Sequence, residues 1–199
     1  MSNKAPHMKK DQEVNLTEAA PTLHRVIVGL GWSIPEQNHG YPVDLDASAF
    51  LLNREGRVRN DTDFVFYNNL ESDGGHVKHL GDSTTGAGDG DDEKIEINLD
   101  ILPFDVEKIA FAVTIHNAED RQQNFGIVKE AYIRVTDQET GDELIRFDLT
   151  EDAAENNGFI FGELSRGDGV GWKFKAIGTG VTGGLYKIAR DYNVNVAAP

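Results

Sequence analysis

The sequence predicts a mostly β protein: a β-sandwich of two sheets with short peripheral helices, one of them at the C-terminus. Three observations predict it. Short apolar runs rich in β-branched and aromatic residues recur along the chain, several alternate strictly between apolar and polar, and Gly, Asn and Asp cluster between them. With 199 residues and 39% hydrophobic content, the chain is long enough for one domain with a substantial core and short for two.

Taken in order, residues 1–12 (MSNKAPHMKKDQ) carry no apolar period and are expected as a disordered tail, leaving a single domain over 13–199. The expected strands follow as HRVIVGLG, DASAFLL, DFVFYNN, KIEINL, EKIAFAVTIH, AYIRVTD, ELIRFDL, GFIFGEL and GWKFKAI. In KIEINL, Ile95, Ile97 and Leu99 share one face while Lys94, Glu96 and Asn98 share the other, as a half-buried strand requires. Between runs, ESDGG (71–75) and QETGDE (138–143) offer Asp-Gly and Gly-Asp pairs that tolerate positive φ. A short helical turn is expected near Pro103. The C-terminal helix is read from Leu185, Ile188, Ala189 and Tyr192 at i, i+3, i+4 and i+7, and is expected to lie across the end or edge of a sheet. Trp32 and Trp172 flank apolar strands and read as core residues.

Charge and composition narrow the function. A formal net charge of −15, with no basic patch, repels phosphate backbones and anionic lipid surfaces, so no nucleic-acid partner is expected. The absence of cysteine removes disulfides, thiolate metal sites, cysteine nucleophiles and thiol redox chemistry. Without a signal-like start or an 18-residue apolar run, the expectation is a cytoplasmic protein with no direct membrane insertion.

The chemistry concentrates in carboxylates. Residues 81–93, GDSTTGAGDGDDE, place Asp89, Asp91, Asp92 and Glu93 within five positions, with Asp82 upstream and Gly86, Gly88 and Gly90 between. Asp44 and Asp46 in VDLDAS lie two apart and project to one face of an extended chain, as do Asp61 and Asp63 in NDTDFVFYNN, a run that ends in Asn68 and Asn69. Two unit charges about 4 Å apart repel by roughly 4 kcal/mol at an effective dielectric near 20, so a loop that gathers several carboxylates calls for a counter-charge. Calcium takes six to eight oxygens in flexible geometry; zinc prefers His and Cys, and magnesium a rigid octahedron. His76 and His79, three apart in an expected strand, face opposite sides and do not share a metal. The loop is not an EF-hand: with Asp82 at position 1, Glu93 falls at position 12, but Thr84 and Gly86 occupy acidic positions and Ala87 replaces the glycine. Against the metal reading stands the plain one, that Asp and Gly crowd exposed turns.

Other signals carry less. GTGVTGG (178–184) matches G-x-G-x-x-G, but only 16 residues follow Gly183, too few for the second strand and the ribose-binding acid, so it reads as a strand-to-helix connector. His116 near Asp120 is raw material for general acid-base work, yet reads more simply as a strand-end histidine.

Beyond these separate signals, the chain resembles the TerD family of tellurite-resistance and stress-response proteins. The matching segments include VNLTEAAP (14–21), VIVGLGW (26–32), DLDASAFLLN (44–53), DFVFYNNLES (63–72), GDSTTGAGDGDDE (81–93), VTIHNAEDRQQNFG (113–126) and GGLYKIARDYNVNV (183–196). The family's short β-rich start is replaced here by NKAPHMKKDQE. The resemblance implies a calcium-binding β-sandwich, with two Ca2+ ions and no enzymatic activity, acting in bacterial resistance to tellurite and other chemical or phage stress. Carried over by motif, the metal ligands are Asp44, Asp46, Asn69, Asp82, Asp89, Asp91, Asp92 and Glu93, with Asn68 next. Its implied partners are other tellurite-resistance proteins, in a membrane-associated complex. Two other classes stay open: a metal-dependent hydrolase or phosphoryl-handling enzyme using the same carboxylates, and a small-molecule or cyclic-nucleotide sensor.

Overall fold

The computed structural model describes residues 5–34, 43–82, 90–149, 155–167 and 171–197. Among these residues, eleven strands form two antiparallel sheets: β1 (Glu13–Asn15), β2 (Arg25–Ser33), β3 (Leu45–Leu52), β4 (Phe64–Val65), β5 (Val77–Asp82), β6 (Glu93–Asn98), β7 (Lys108–Ile115), β8 (Lys129–Asp137), β9 (Glu143–Asp148), β10 (Gly158–Arg166) and β11 (Trp172–Val181). One sheet has the order β1-β11-β10-β7-β3-β4 and the other β5-β6-β2-β8-β9. The α-helices among the described residues, α1 (Leu16–Ala19), α2 (Ala118–Arg121) and α3 (Gly184–Asp191), are short and lie at the periphery. Among the described residues, no helix is long and apolar enough to cross a membrane.

The main core fills the space between the sheets with alternate residues from each strand: Val26, Val28 and Leu30 of β2 meet Ala47, Ala49 and Leu51 of β3 and Phe111 and Val113 of β7. Strands β3 and β7 are apolar at nearly every position because their second face is covered too. Phe50, Leu52, Ala110 and Ala112 form a smaller cluster there with Ile188 and Ala189 of α3. The C-terminal helix therefore lies on the outer face of the six-stranded sheet, not across its end or edge. It stops in a Schellman arrangement: Asn193 adopts φ 66°, and the Asn193 and Val194 N–H groups donate to Arg190 and Ala189 carbonyls at 3.0 and 2.9 Å.

Three local details differ from the sequence reading. Residues 61–63, expected as strand, form a 3-10 turn capped by Asn60, because Asp63 is fully buried against the Arg59 guanidinium, with Nε to Oδ2 at 2.8 Å and Nη2 to Oδ1 at 2.8 Å. Near Pro103 the chain makes turns and no helix. Residues 5–12, part of the expected loose tail, run along the sandwich: Met8 is 6% exposed and its N–H donates to Arg146 of β9, while the Asp11 N–H donates to Ala176 of β11. This segment ties the β9 edge of one sheet to the β11 side of the other, a use of backbone groups that polar composition does not signal.

Candidate functional site

Strand registers bring the acidic segments to one end of the sandwich. In the six-stranded sheet, β3 opens at Leu45 opposite Ile115, the last residue of β7. In the five-stranded sheet, β6 opens at Glu93 opposite both Asp82, which ends β5, and Leu30. Asp44, Asp46, Asp82, the 91–93 triplet and His116 therefore belong to the same end. The hairpin through Phe66–Asn69 returns beside β3 at this end as well. Asp89 lies outside the described residues, and Asp82 is placed at this end by its backbone register with Glu93.

The three carboxylates that follow Gly90 fan out to three destinations. Asp91 turns to the outer face of the five-stranded sheet and is 4% exposed. There it accepts Arg134 Nε at 2.7 Å and the Tyr132 hydroxyl at 3.0 Å on Oδ1, and Arg134 Nη2 at 3.0 Å on Oδ2. To reach β8 it crosses β2 over Gly29, where a Cβ would stand 2.2 Å from Oδ2; the Tyr132 ring likewise occupies the place of a side chain at Gly31. Asp92 stays at the margin of β2. Its N–H donates to Leu30 O at 2.8 Å and its Oδ2 accepts the Trp32 N–H at 2.8 Å, extending the ladder beyond the last strand pair. Burial pushes the Asp92 carboxyl above its ordinary range, the Trp32 N–H opposes this, and the Asp91 charge adds to it.

Glu93 points inward on the core face it shares with Ile95 and Ile97, and is 2% exposed. Its Oε2 accepts the Ala47 N–H at 2.5 Å and stands 3.2 Å from His79 Nε2. β4 pairs with β3 only at Ala49 and Phe50, so on that side the opening residues of β3 have no ladder partner in β4, and Glu93 accepts the Ala47 N–H from the opposite sheet. Of the histidine pair set aside in the sequence, His79 is thus a buried bracing group.

Asp44 and Asp46 face the outer side of the six-stranded sheet, opposite to Asp91. The Asp44 carboxylate is exposed and makes no hydrogen bond or ion pair among the described residues, while its carbonyl accepts the His116 N–H at 2.8 Å. The Asp46 Oδ2 is 3.2 Å from His116 Nδ1. Tyr67 stands with its ring edge-on to His116, centroids 5.8 Å apart, and its phenol is pushed up by burial first and then by the Asp46 and Asp44 charges. Asn69 is anchored by its amide, which donates to Phe64 O at 2.7 Å; Asn68 is exposed. An open cleft of about 530 Å³ borders Asp46, Tyr67 and His116 and runs to the start of α3. At that start Asn157 Oδ1 accepts the N–H groups of Gly183 and Gly184 at 2.9 and 2.8 Å, so the G-x-G-x-x-G segment is a capped connector.

The candidates therefore divide. Asp44 and Asp46 share one face with His116 and Tyr67, Glu93 lies between the sheets, and Asp91 is held on the far face by Arg134. Among the described residues, no three His, Asp or Glu side chains gather as a metal ion would need. The donor chemistry at the Asp44–Asp46 end, carboxylates and an amide without thiols, suits a hard oxygen-seeking cation. A carboxylate already engaged by a guanidinium fork, like Asp91, suits it least.

The TerD domain family model matches residues 5–192. General stress protein 16U of Bacillus subtilis is 49% identical over 189 residues, covering 95% of this chain and 97% of that protein. Tellurium resistance protein TerD of Serratia marcescens is 49% identical over 190 residues, covering 96% and 98% respectively. Among solved structures, a homologue of telluride resistance protein from Streptomyces coelicolor superposes with a TM-score of 0.67 at 22% identity, covering 84% of this chain and 95% of that one.

Proposed function

The chain belongs to the TerD domain family, and from that premise we propose that it is a calcium-binding, non-enzymatic scaffold in bacterial resistance to tellurite and related stress. Relatives that match nearly its whole length are named for tellurium resistance and general stress, which supports the resistance role.

The observation that carries the calcium reading is the pair Asp44 and Asp46 at one strand end, with the Asp44 carboxylate exposed and unengaged by any described group and the Tyr67 phenol within reach of both charges. On this reading Asp44, Asp46 and the amide of Asn68 would hold the cation from the β3 side, with Asp82 and Asp89 the further candidates from the glycine-rich segment. Bound calcium supplies positive charge and a multi-oxygen crosslink. The chain's own residues do the rest. Glu93 and Asp92 fix the strand ends by accepting backbone N–H groups, and Asp91 fastens residue 91 to β8. Carboxylates used as braces in this way support a scaffold better than a hydrolase, whose acids must be exposed to substrate.

The test is thermal unfolding of chelator-stripped protein with and without calcium. A ligand at about 100 times its Kd stabilises by about 2.7 kcal/mol, which for a domain of this size raises Tm by about 5–11 °C. A Tm that does not respond to millimolar calcium overturns the calcium reading.

A further inference from the structure

Resting on the cation reading above, we infer that His116 is a positioning residue of that site, its ring fixing the orientation of the Asp46 carboxylate beside Asp44. Two separate bonds make the case. The His116 backbone N–H donates to the Asp44 carbonyl at 2.8 Å, and its ring Nδ1 stands 3.2 Å from Asp46 Oδ2. The residue that follows β7 thereby holds the backbone of Asp44, which precedes β3, and through its ring the carboxylate of Asp46, whose ladder partner is Thr114.

The ring is itself oriented. Tyr67 packs edge-on against it at 75°, and both rings line the cleft together with Asp46. With a carboxylate opposite Nδ1, the tautomer that satisfies the contact carries its proton on Nδ1 and donates it. A carboxylate has about four acceptor positions, so one ring N–H constrains its direction while occupying only one of them. Outer-shell hydrogen bonds of this kind orient metal-ligating side chains, and their loss lowers metal affinity about 10–100-fold. Asp120, the sequence neighbour that suggested an acid-base pair, makes no hydrogen bond to this ring among the described residues.

The experiment is calorimetric titration of calcium into chelator-stripped wild type, His116→Ala, His116→Asn and His116→Gln, with chemical unfolding of each in chelator. The Asn amide nitrogen occupies the place of Nδ1, whereas the Gln amide nitrogen occupies that of Nε2. The expected result is at least a tenfold loss of affinity for His116→Ala and His116→Gln, and recovery to within about threefold of wild type for His116→Asn. Wild-type affinity in His116→Ala would overturn the inference while leaving the calcium reading intact. Equal weakening of all three variants would also overturn it, because the donated Nδ1 proton would then not be what matters. Absence of calcium uptake by the wild type would overturn the reading on which the inference rests.

Discussion

Replacing Asp91 with Asn separates a structural carboxylate from a cation ligand. The substitution preserves volume but removes the charge and places an amide N–H₂ against a guanidinium. Both oxygens of Asp91 are engaged by Arg134 and Tyr132 at 2.7–3.0 Å, and the side chain is 4% exposed. Removing one partner of a buried pair costs about 3–5 kcal/mol when the other charge is left stranded. Arg134 is 28% exposed and keeps Glu143 at 3.2 Å, so water and that second carboxylate offset part of the loss. The expected cost is about 2–3 kcal/mol, a fall in Tm of about 4–12 °C at 2–4 °C per kcal/mol. Urea unfolding in chelator measures it, and calcium titration of the folded variant should give an affinity within about twofold of wild type. A variant as stable as wild type that had lost calcium binding would refute the placement of Asp91 as a brace.

Other consequences follow from the same geometry. Gly29→Ala puts a methyl where the Asp91 carboxylate lies, 2.2 Å from Oδ2, and should cost about 1–3 kcal/mol by denaturant unfolding, with little further loss when combined with Asp91→Asn. Arg59→Ala strands the fully buried Asp63 and should lower stability by about 3–5 kcal/mol, read from the unfolding midpoint. Tyr132 is raised to about 12, by burial first and then by the Asp91 charge. Because the folded value exceeds the unfolded value near 10, its stabilising contribution is complete below about pH 10 and is lost as pH rises towards about 12. Ultraviolet titration should therefore show a late tyrosine, which Asp91→Asn brings earlier. Deleting residues 1–12 exposes the site of Met8 and frees the β9 edge, and should cost at least about 1.5–3 kcal/mol by thermal unfolding.

Much of the architecture could be read from local pattern. KIEINL alternates because one face of β6 is core, and Leu185, Ile188 and Ala189 recur at helical spacing because α3 covers a sheet. The unbroken apolar character of FLL and IAFAV is the trace of strands buried on both faces, and with it the sequence could have placed α3 on the face instead of the end. Polar partnerships were less accessible. Nothing local tells that Asp91, Asp92 and Glu93 separate to one sheet face, a strand margin and the core, because their partners Arg134, Trp32 and Ala47 are 43, 60 and 46 residues away. The glycines at 29 and 31 were the available hint: a strand interior without side chains marks a close approach, here of Asp91 and Tyr132. His116 was noticed for its nearness to Asp120, whereas its partner Asp46 is 70 residues distant and becomes a neighbour only through the β3–β7 register.

The most direct test of the account is calorimetric titration of calcium, with magnesium as control, into chelator-stripped wild type and into Asp44→Asn combined with Asp46→Asn. The expected result is saturable calcium uptake by the wild type, weak response to magnesium, and strong loss of calcium affinity in the double variant while its unfolding in chelator stays close to wild type. Absence of calcium uptake by the wild type, or undiminished uptake by the double variant, would contradict it.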